Sequence, residues 1–146
     1  MTRQEVTELV QAAMQARAVT FAELAAELGR PPVWVAAAAL GQHPFSPEEA
    51  EQLGARLELS AEAVSVLQQV PMRGGLETAV PVDPTIYRLY EVIQVYGPAL
   101  KALIHEEFGD GIMSAINFNV ALDRAEGEDG DRVRITLEGK FLPYKW

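Results

Sequence analysis

Three residues in the second half of the chain, Arg88, Glu91 and Ser114, have types and spacing that could take part in chemistry. Arg88 and Glu91 are three positions apart in a segment with helical character, which places them on one face of a helix. Ser114 follows a Gly-Asp-Gly turn and precedes a strand-like segment, so its hydroxyl and the nearby backbone N–H groups can point at an anion. On spacing alone, an ordinary surface ion pair and a hydrogen-bonded turn hydroxyl are the favoured explanations of these residues.

The remaining polar residues form no recognisable catalytic or metal-binding pattern. His43 and His105 are far apart in the sequence and belong to no grouping of carboxylates that indicates a metal site, and His105 stands beside acids on a predicted helix. Cysteine is absent, which excludes disulfides, thiolate catalysis and Cys-ligated zinc. No glycine pattern for phosphates or dinucleotides is present. Packing in a core or an interface accounts for the three tyrosines around the Arg88–Glu91 pair: Tyr87, Tyr90 and Tyr96.

Composition limits the kinds of partner. The chain has 146 residues, enough for one domain or two small ones, and 49% of them are apolar. Its net charge of −9 argues against nucleic acids and anionic membranes as partners. It has no apolar run long enough to span a bilayer, and its N-terminus lacks the core of a signal peptide. We therefore expect no membrane association and a cytoplasmic location.

Residues 1–70 have the pattern of a bundle of short helices. Capping residues, acidic first turns and glycine or proline stops mark their ends. The predicted helices contain an apolar stripe from Glu8 to Met14, then Phe21–Leu28 after Thr20, Val33–Leu40 after two prolines, a helix from Ser46 to about Leu57, and one opening at Ser60 and ending before Pro71.

This arrangement resembles the helix-turn-helix bundle of phage-repressor-type domains. The helix that would read DNA, Val33–Leu40, contains no Arg, Lys, Asn or Gln to contact a base edge. Residues 1–70 hold four Arg and no Lys against nine Glu, so attraction to phosphates is missing as well. We therefore expect a helical packing module that does not bind nucleic acid.

Residues 71–82 have the prolines and paired glycines of a linker, and residues 83–146 form a second domain. A helix is predicted from Thr85 to about Val95, a break at Tyr96-Gly97-Pro98, and a further helix over Ala99–Phe108, followed by a turn at 109–111.

Period-two alternation over 116–122 and 133–137, on either side of an acidic loop at 126–131, predicts an antiparallel hairpin. Phe141-Leu142 adds a short strand after Gly139. The fold class is thus α+β, a helical bundle followed by a helix-plus-hairpin domain. Because this small sheet has an apolar face and little chain to cover it, we expect a partner subunit to do so.

The second domain resembles the cyanate hydratase (cyanase) family. The resemblance rests on Asp83-Pro84-Thr85, on Tyr87-Arg88-Leu89-Tyr90-Glu91 and on the segment from Phe108 to Phe118, and it extends over nearly the whole chain to the closing residues 137–143. It implies breakdown of cyanate with bicarbonate, catalytic residues Arg88, Glu91 and Ser114, and a homodecamer of five dimers with sites shared between subunits. Many relatives carry a cysteine where this chain has Gly75, outside the implied catalytic set.

The implied chemistry joins two anions, which requires local positive charge in an acidic protein. Two Arg88 side chains from neighbouring subunits would supply it, and Ser114 with the N–H of Ala115 would hold carboxylate oxygens. Bicarbonate is then the co-substrate, and no metal or organic cofactor is expected. Glu91 either orients Arg88 or carries a proton, and the sequence leaves both open.

Two other classes of protein are compatible with the same helical half. A transcriptional regulator would need a basic recognition helix, which is missing. A catalytically silent oligomeric binding protein would have lost one of the three implied catalytic residues, and all three are present. Cyanate hydration, serving detoxification or nitrogen supply, is therefore the predicted function.

Overall fold

The computed structural model describes residues 1–76 and 78–145. Helices come first and a two-stranded antiparallel sheet follows, which confirms the predicted α+β class. By contacts the chain divides into two compact units, one of Met1–Gly75 with Ala121–Ile135 and one of Leu76–Val120 with the chain from Thr136. The elements are α1 (Arg3–Ala16), α2 (Phe21–Leu28), α3 (Pro32–Ala39), α4 (Pro47–Leu57), α5 (Ala61–Leu67), α6 (Pro84–Phe108), β1 (Gly111–Ala125) and β2 (Arg132–Pro143).

Helices α1 to α5 enclose the hydrophobic core. Each contributes small or branched apolar side chains from the face that points inward, as the helical period of the sequence requires. The largest fully buried side chains come from all five helices: Val6, Val10, Leu24, Val35, Leu53, Leu57 and Leu67. No helix in the described part of the chain is long and apolar enough to cross a bilayer.

Capping boxes fix the starts of three of these helices. In α2 the Thr20 hydroxyl accepts from the Glu23 amide while the Glu23 carboxylate accepts from the Thr20 amide. The same reciprocal pair forms between Ser46 and Glu49 at α4, and the predicted bounds of α2 are confirmed at both ends. A third box, between Thr2 and Glu5, starts α1 well before the predicted stripe.

Arg3 ties three parts of the bundle together from the first turn of α1. Its guanidinium donates to the carbonyl oxygens of Val66 at 3.0 Å, Ala38 at 2.8 Å and His43 at 2.9 Å. Val66 and Ala38 lie in the last turns of α5 and α3, where the helix dipole is negative. Each carbonyl also accepts a backbone amide, from Gln69 at 3.1 Å and from Gly41 at 3.0 Å, so Arg3 supplies a second, charged donor. Arg3 therefore places positive charge at two helix ends.

The predicted break at Gly97-Pro98 is wrong, because α6 is a single helix of 25 residues with Pro98 inside it. Inside a helix a proline removes one backbone donor, its ring crowds the carbonyl four residues earlier, and it crowds the Cβ of the preceding residue. Gly97 has no Cβ, which removes the last of these effects, and the helix continues through Pro98. Its ends are well marked: Asp83 accepts from the amides of Thr85 and Ile86, and Gly109 has a φ of 88°.

The predicted hairpin is confirmed, but β1 begins earlier than the sequence indicated. Gly111 belongs to the strand rather than to a turn. A Cβ there would run into Leu142 O and the Phe141 ring, so the position has room only for glycine. Ser114 therefore lies inside β1, and its placement before the first strand is wrong. Gly139 likewise lies within β2, so Phe141-Leu142 continues that strand instead of forming a separate one.

The second half of the chain leaves much apolar surface uncovered. No residue of α6 is buried, although Leu89, Val92, Ile93 and Leu103 are among its side chains. On β1, Ile116 is 98% exposed. Exposed apolar area of this extent is unusual for a monomeric protein and is typical of surfaces that bind other chains.

Candidate active site

Helix α6 presents Arg88 and Glu91 on one exposed face near its N-terminus. Arg88 Nη1 and Glu91 Oε2 are 3.5 Å apart, and the two side chains are 70% and 50% exposed. The three-residue spacing predicted this shared face. Because the pair is long and solvated, Arg88 keeps most of its donors for other groups.

Aromatic rings flank this pair. The Arg88 guanidinium lies 5.9 Å from the centre of the Tyr87 ring, within the range of a weak cation–π contact. The rings of Tyr87 and Tyr90 are 6.0 Å apart, and the Tyr90 hydroxyl accepts from Gln94 Nε2 at 2.9 Å. Tyr87 thus contacts the guanidinium, and Tyr90 packs beside Tyr87.

Ser114 is a buried polar residue of β1, with 7% of its surface exposed. Its Oγ accepts from the amides of Ile116 at 3.1 Å and Asn117 at 3.0 Å. A serine hydroxyl has two acceptor lone pairs and one proton. Both lone pairs are engaged here, so the hydroxyl has only its proton left to offer a further partner.

The structure joins two of the predicted site residues and leaves the third on another element. Arg88 and Glu91 are paired on α6, whereas Ser114 lies in β1 and makes no hydrogen bond to either of them within the described residues. Ala115, the predicted N–H donor, follows Ser114 in the strand and is exposed. The two amides that bind Ser114 belong to the next residues along, Ile116 and Asn117, and the sequence analysis missed them.

The two histidines lie in different surroundings. His43 stacks on Trp34, with ring centres 5.9 Å apart and planes at 2°. His105 Nε2 is 2.8 Å from Lys101 Nζ, and its Nδ1 is 3.0 Å from Gly109 O at the end of α6. Within residues 1–76 and 78–145, no group of three or more His, Asp or Glu side chains is placed to hold a metal ion.

Comparison with known proteins finds matches to both halves of the chain. Residues 3–71 match the family model "Cyanate hydratase, N-terminal", and residues 78–146 match "Cyanate lyase C-terminal domain". A protein of Mycolicibacterium vanbaalenii named cyanate hydratase is 60% identical over 146 residues, covering 100% of this chain and 95% of the relative. A protein of the same name from Dechloromonas aromatica is 54% identical over 145 residues, covering 99% of each chain.

A solved structure shares the fold. The crystal structure of cyanase from T. urticae superposes with a TM-score of 0.82 at 35% identity, covering 94% of this chain and 96% of that one. Sequence matches over the full length and a common fold agree with the resemblance seen around Arg88, Glu91 and Ser114. This chain belongs to the cyanate hydratase family.

Proposed function

We propose that this protein is an enzyme that breaks down cyanate with bicarbonate, giving carbon dioxide and carbamate, which decomposes to ammonia and more carbon dioxide. The observation that carries the proposal is the full-length match to proteins named cyanate hydratase, in a chain that keeps Arg88, Glu91 and Ser114. Cyanate detoxification or nitrogen supply, in the cytoplasm, is the role that such a reaction would serve.

Arg88 is the proposed source of positive charge. Both substrates are anions, and bringing two like charges to about 4 Å costs on the order of 4 kcal/mol near a protein surface. The exposed guanidinium makes a 3.5 Å contact with Glu91 and a weak cation–π contact with Tyr87, which leave donors for the substrates. Two Arg88 side chains from neighbouring subunits would offset both negative charges with planar, multi-donor groups.

Ser114 is the proposed donor to a substrate oxygen. Because its Oγ already accepts from Ile116 and Asn117, its proton is available for an anion and its lone pairs are not. In the proposed site, the N–H of Ala115 adds a second donor to the same substrate. Two fixed donors and a cation would hold bicarbonate beside cyanate and make their reaction effectively intramolecular.

The proposed reaction balances with one added proton before carbamate is released. A bicarbonate oxygen attacks the carbon of cyanate, a C–O bond forms, and the bicarbonate proton passes to nitrogen to give a mixed-anhydride dianion. Cleavage of the bond between the bicarbonate carbon and the bridging oxygen releases carbon dioxide. A second proton on nitrogen then completes carbamate. This route uses side chains and backbone donors and requires no metal or organic cofactor.

Glu91 is the group whose role the reaction leaves most open. An ionised carboxylate repels two anions unless its charge is directed elsewhere. Its contact with Arg88 Nη1 favours the role of orienting the guanidinium over that of carrying a proton. Under this proposal Glu91 is a positioning residue for Arg88.

The active form is proposed to be a homo-oligomer, a decamer of five dimers, with sites shared between subunits. The support is the uncovered apolar surface of α6 and the hairpin, together with the need for more than one Arg88 at each site. A single chain would leave that surface in water and provide one cation for two anions.

The test is ammonia release from cyanate by chelator-treated protein, with bicarbonate and in carbon-dioxide-free buffer. We expect activity that depends on bicarbonate and survives chelation. Equal rates without bicarbonate, or loss on chelation that added metal restores, would contradict the proposed reaction.

A further inference from the structure

Gly139 of β2 lies against the backbone of Ser114. A Cβ at this position would overlap Ser114 O, and it would lie 2.5 Å from Met113 Cγ and 3.0 Å from Phe118 Cδ2. Its φ is not in the left-handed region, so the backbone conformation does not require glycine. The requirement is for space, because β1 comes closer to β2 here than any side chain would allow.

The close approach marks an irregularity in β1. Met113 and Phe118 both reach the same side of Gly139, although residues five apart in a regular strand point to opposite faces. A local bulge in β1 between Met113 and Phe118 accounts for both side chains meeting at Gly139.

The bulge explains the unusual hydrogen bonds of Ser114. In a regular strand, the amides of two successive residues point in opposite directions and cannot share one acceptor. Here the amides of Ile116 and Asn117 both donate to Ser114 Oγ. The irregular backbone thus turns both amides towards the serine and holds its hydroxyl in one orientation.

We propose that Gly139 is a positioning residue for catalysis, because the space left by its missing side chain permits the bulge that presents the Ser114 proton to an anionic substrate. Gly139 itself touches no substrate and acts through Ser114. The proposal rests on the proposed function, since it gives a task to a residue of that site. It gives a role to a residue of β2, the strand that carries none of the three proposed catalytic residues.

The consequence is a specific sensitivity to one methyl group. Gly139→Ala must push Ser114 O away, because the carbonyl belongs to the backbone and cannot rotate aside as a side chain can. A shift of about 1 Å in a donor can cost roughly 100-fold in turnover. We expect kcat/KM for cyanate to fall by about this factor in an assembled Gly139→Ala protein.

A double-mutant cycle separates positioning from general stability. Ser114→Ala, Gly139→Ala and the double variant are compared, with Thr136→Ala as a control on an exposed position of the same strand. If Gly139 acts through Ser114, the double variant is no slower than Ser114→Ala alone. Additive losses, or normal turnover in Gly139→Ala, would overturn the proposal.

Hydrogen exchange at the amides of Ile116 and Asn117 tests the geometry without relying on activity. Both amides should exchange faster in Gly139→Ala and in Ser114→Ala, and at the wild-type rate in Thr136→Ala. If the wild-type protein does not consume cyanate, the proposed function fails, and unchanged exchange in Gly139→Ala separately refutes the role of Gly139.

A second variant covers the case in which Gly139→Ala fails to assemble. Met113→Ala combined with Gly139→Ala removes the side-chain part of the crowding and leaves the overlap with Ser114 O. We expect this protein to fold and to remain slow. Wild-type turnover in it would show that side-chain crowding, and not the position of Ser114, accounts for the glycine.

Discussion

Arg88 and Glu91 are joined across one turn of α6 by a contact of 3.5 Å between Nη1 and Oε2, with both side chains largely in solvent. Such an exposed pair is weak, so Arg88 can bind a substrate while Glu91 stays beside it. The planar guanidinium can bind two carboxylate or cyanate atoms at once, which an ammonium group cannot do in the same fixed geometry.

Arg88→Lys is therefore expected to be severely impaired although the charge is kept. We predict a loss of two to three orders of magnitude in kcat, about 3–4 kcal/mol, as for one lost oxyanion contact. The measurement is cyanate-dependent ammonia release by protein of wild-type assembly state.

Arg124→Lys is the matched control, since its exposed ion pair with Asp131 needs only a positive charge. Near-normal turnover in Arg88→Lys would remove Arg88 from the proposed site.

Arg3→Met should destabilise the helical bundle. The change removes a charged donor from the carbonyls of Val66, Ala38 and His43, although those of Val66 and Ala38 keep a backbone donor. Hydrogen bonds to charged groups contribute about 1.5–3 kcal/mol each before losses to partial exposure. We expect the free energy of unfolding to fall by about 2–3 kcal/mol in total.

Urea denaturation checks this expectation. Arg17→Met, which breaks only the exposed pair with Glu58, serves as the control and should cost below about 1 kcal/mol. Equal effects of the two substitutions would mean that the carbonyl contacts of Arg3 add nothing.

Glu23 makes the stability of the bundle depend on pH. The hydrogen bond from the Thr20 backbone N–H, with that from its hydroxyl, lowers the pKa of Glu23 in the folded protein. Its contribution is present above the ordinary glutamate pKa of about 4.3 and is lost as the pH falls through the lowered value.

Glu23→Gln should flatten the dependence of melting temperature on pH below about 4.3, because the group that titrates is gone. Circular dichroism melts between neutral and acidic pH give the comparison. Glu51→Gln is the control, as Glu51 makes no hydrogen bond or ion pair among the described residues. An unchanged acid slope in Glu23→Gln would contradict the assignment.

Local signals in the sequence predicted the helical bundle well. Thr20 with Glu23, and Ser46 with Glu49, are caps whose chemistry acts over three residues, so the bounds of α2 were found from sequence. The break at Pro98 was wrong: Gly97 relieves the clash with a preceding Cβ, and α6 continues past the proline. The role of Arg3 was not predicted, because its hydrogen-bond partners are residues 38, 43 and 66 and no local sequence pattern indicates such distant contacts.

The sequence predicted only part of the candidate site. The spacing of Arg88 and Glu91 predicted their shared helix face, and the structure confirms it. The bulge at Ser114 depends on Gly139 across the hairpin, and an isolated glycine in a period-two segment was the available signal. The roles of Arg88, Glu91, Ser114 and Ala115 in catalysis stay predictions.

Ile135→Asp is predicted to abolish assembly and activity together. Ile135 is one of the apolar residues of the hairpin that the single chain leaves uncovered, and a charge there would be buried without a partner in the oligomer. Thr136→Asp places the same charge on the opposite face of the strand and should assemble. Light scattering at graded concentrations gives the assembly state, and the ammonia assay gives the activity of the same samples. An Ile135→Asp monomer that keeps its specific activity would contradict the prediction.

The attack of bicarbonate on cyanate can be followed directly with isotopes. Cyanate carrying a heavy carbon is mixed with bicarbonate carrying heavy oxygen, and the carbon dioxide released in the first turnovers is analysed by mass spectrometry before it exchanges with water. If bicarbonate oxygen bonds to the cyanate carbon, the carbon dioxide that carries the heavy carbon also carries one heavy oxygen. Heavy carbon combined only with ordinary oxygen would show that water is the nucleophile and would contradict the proposed reaction.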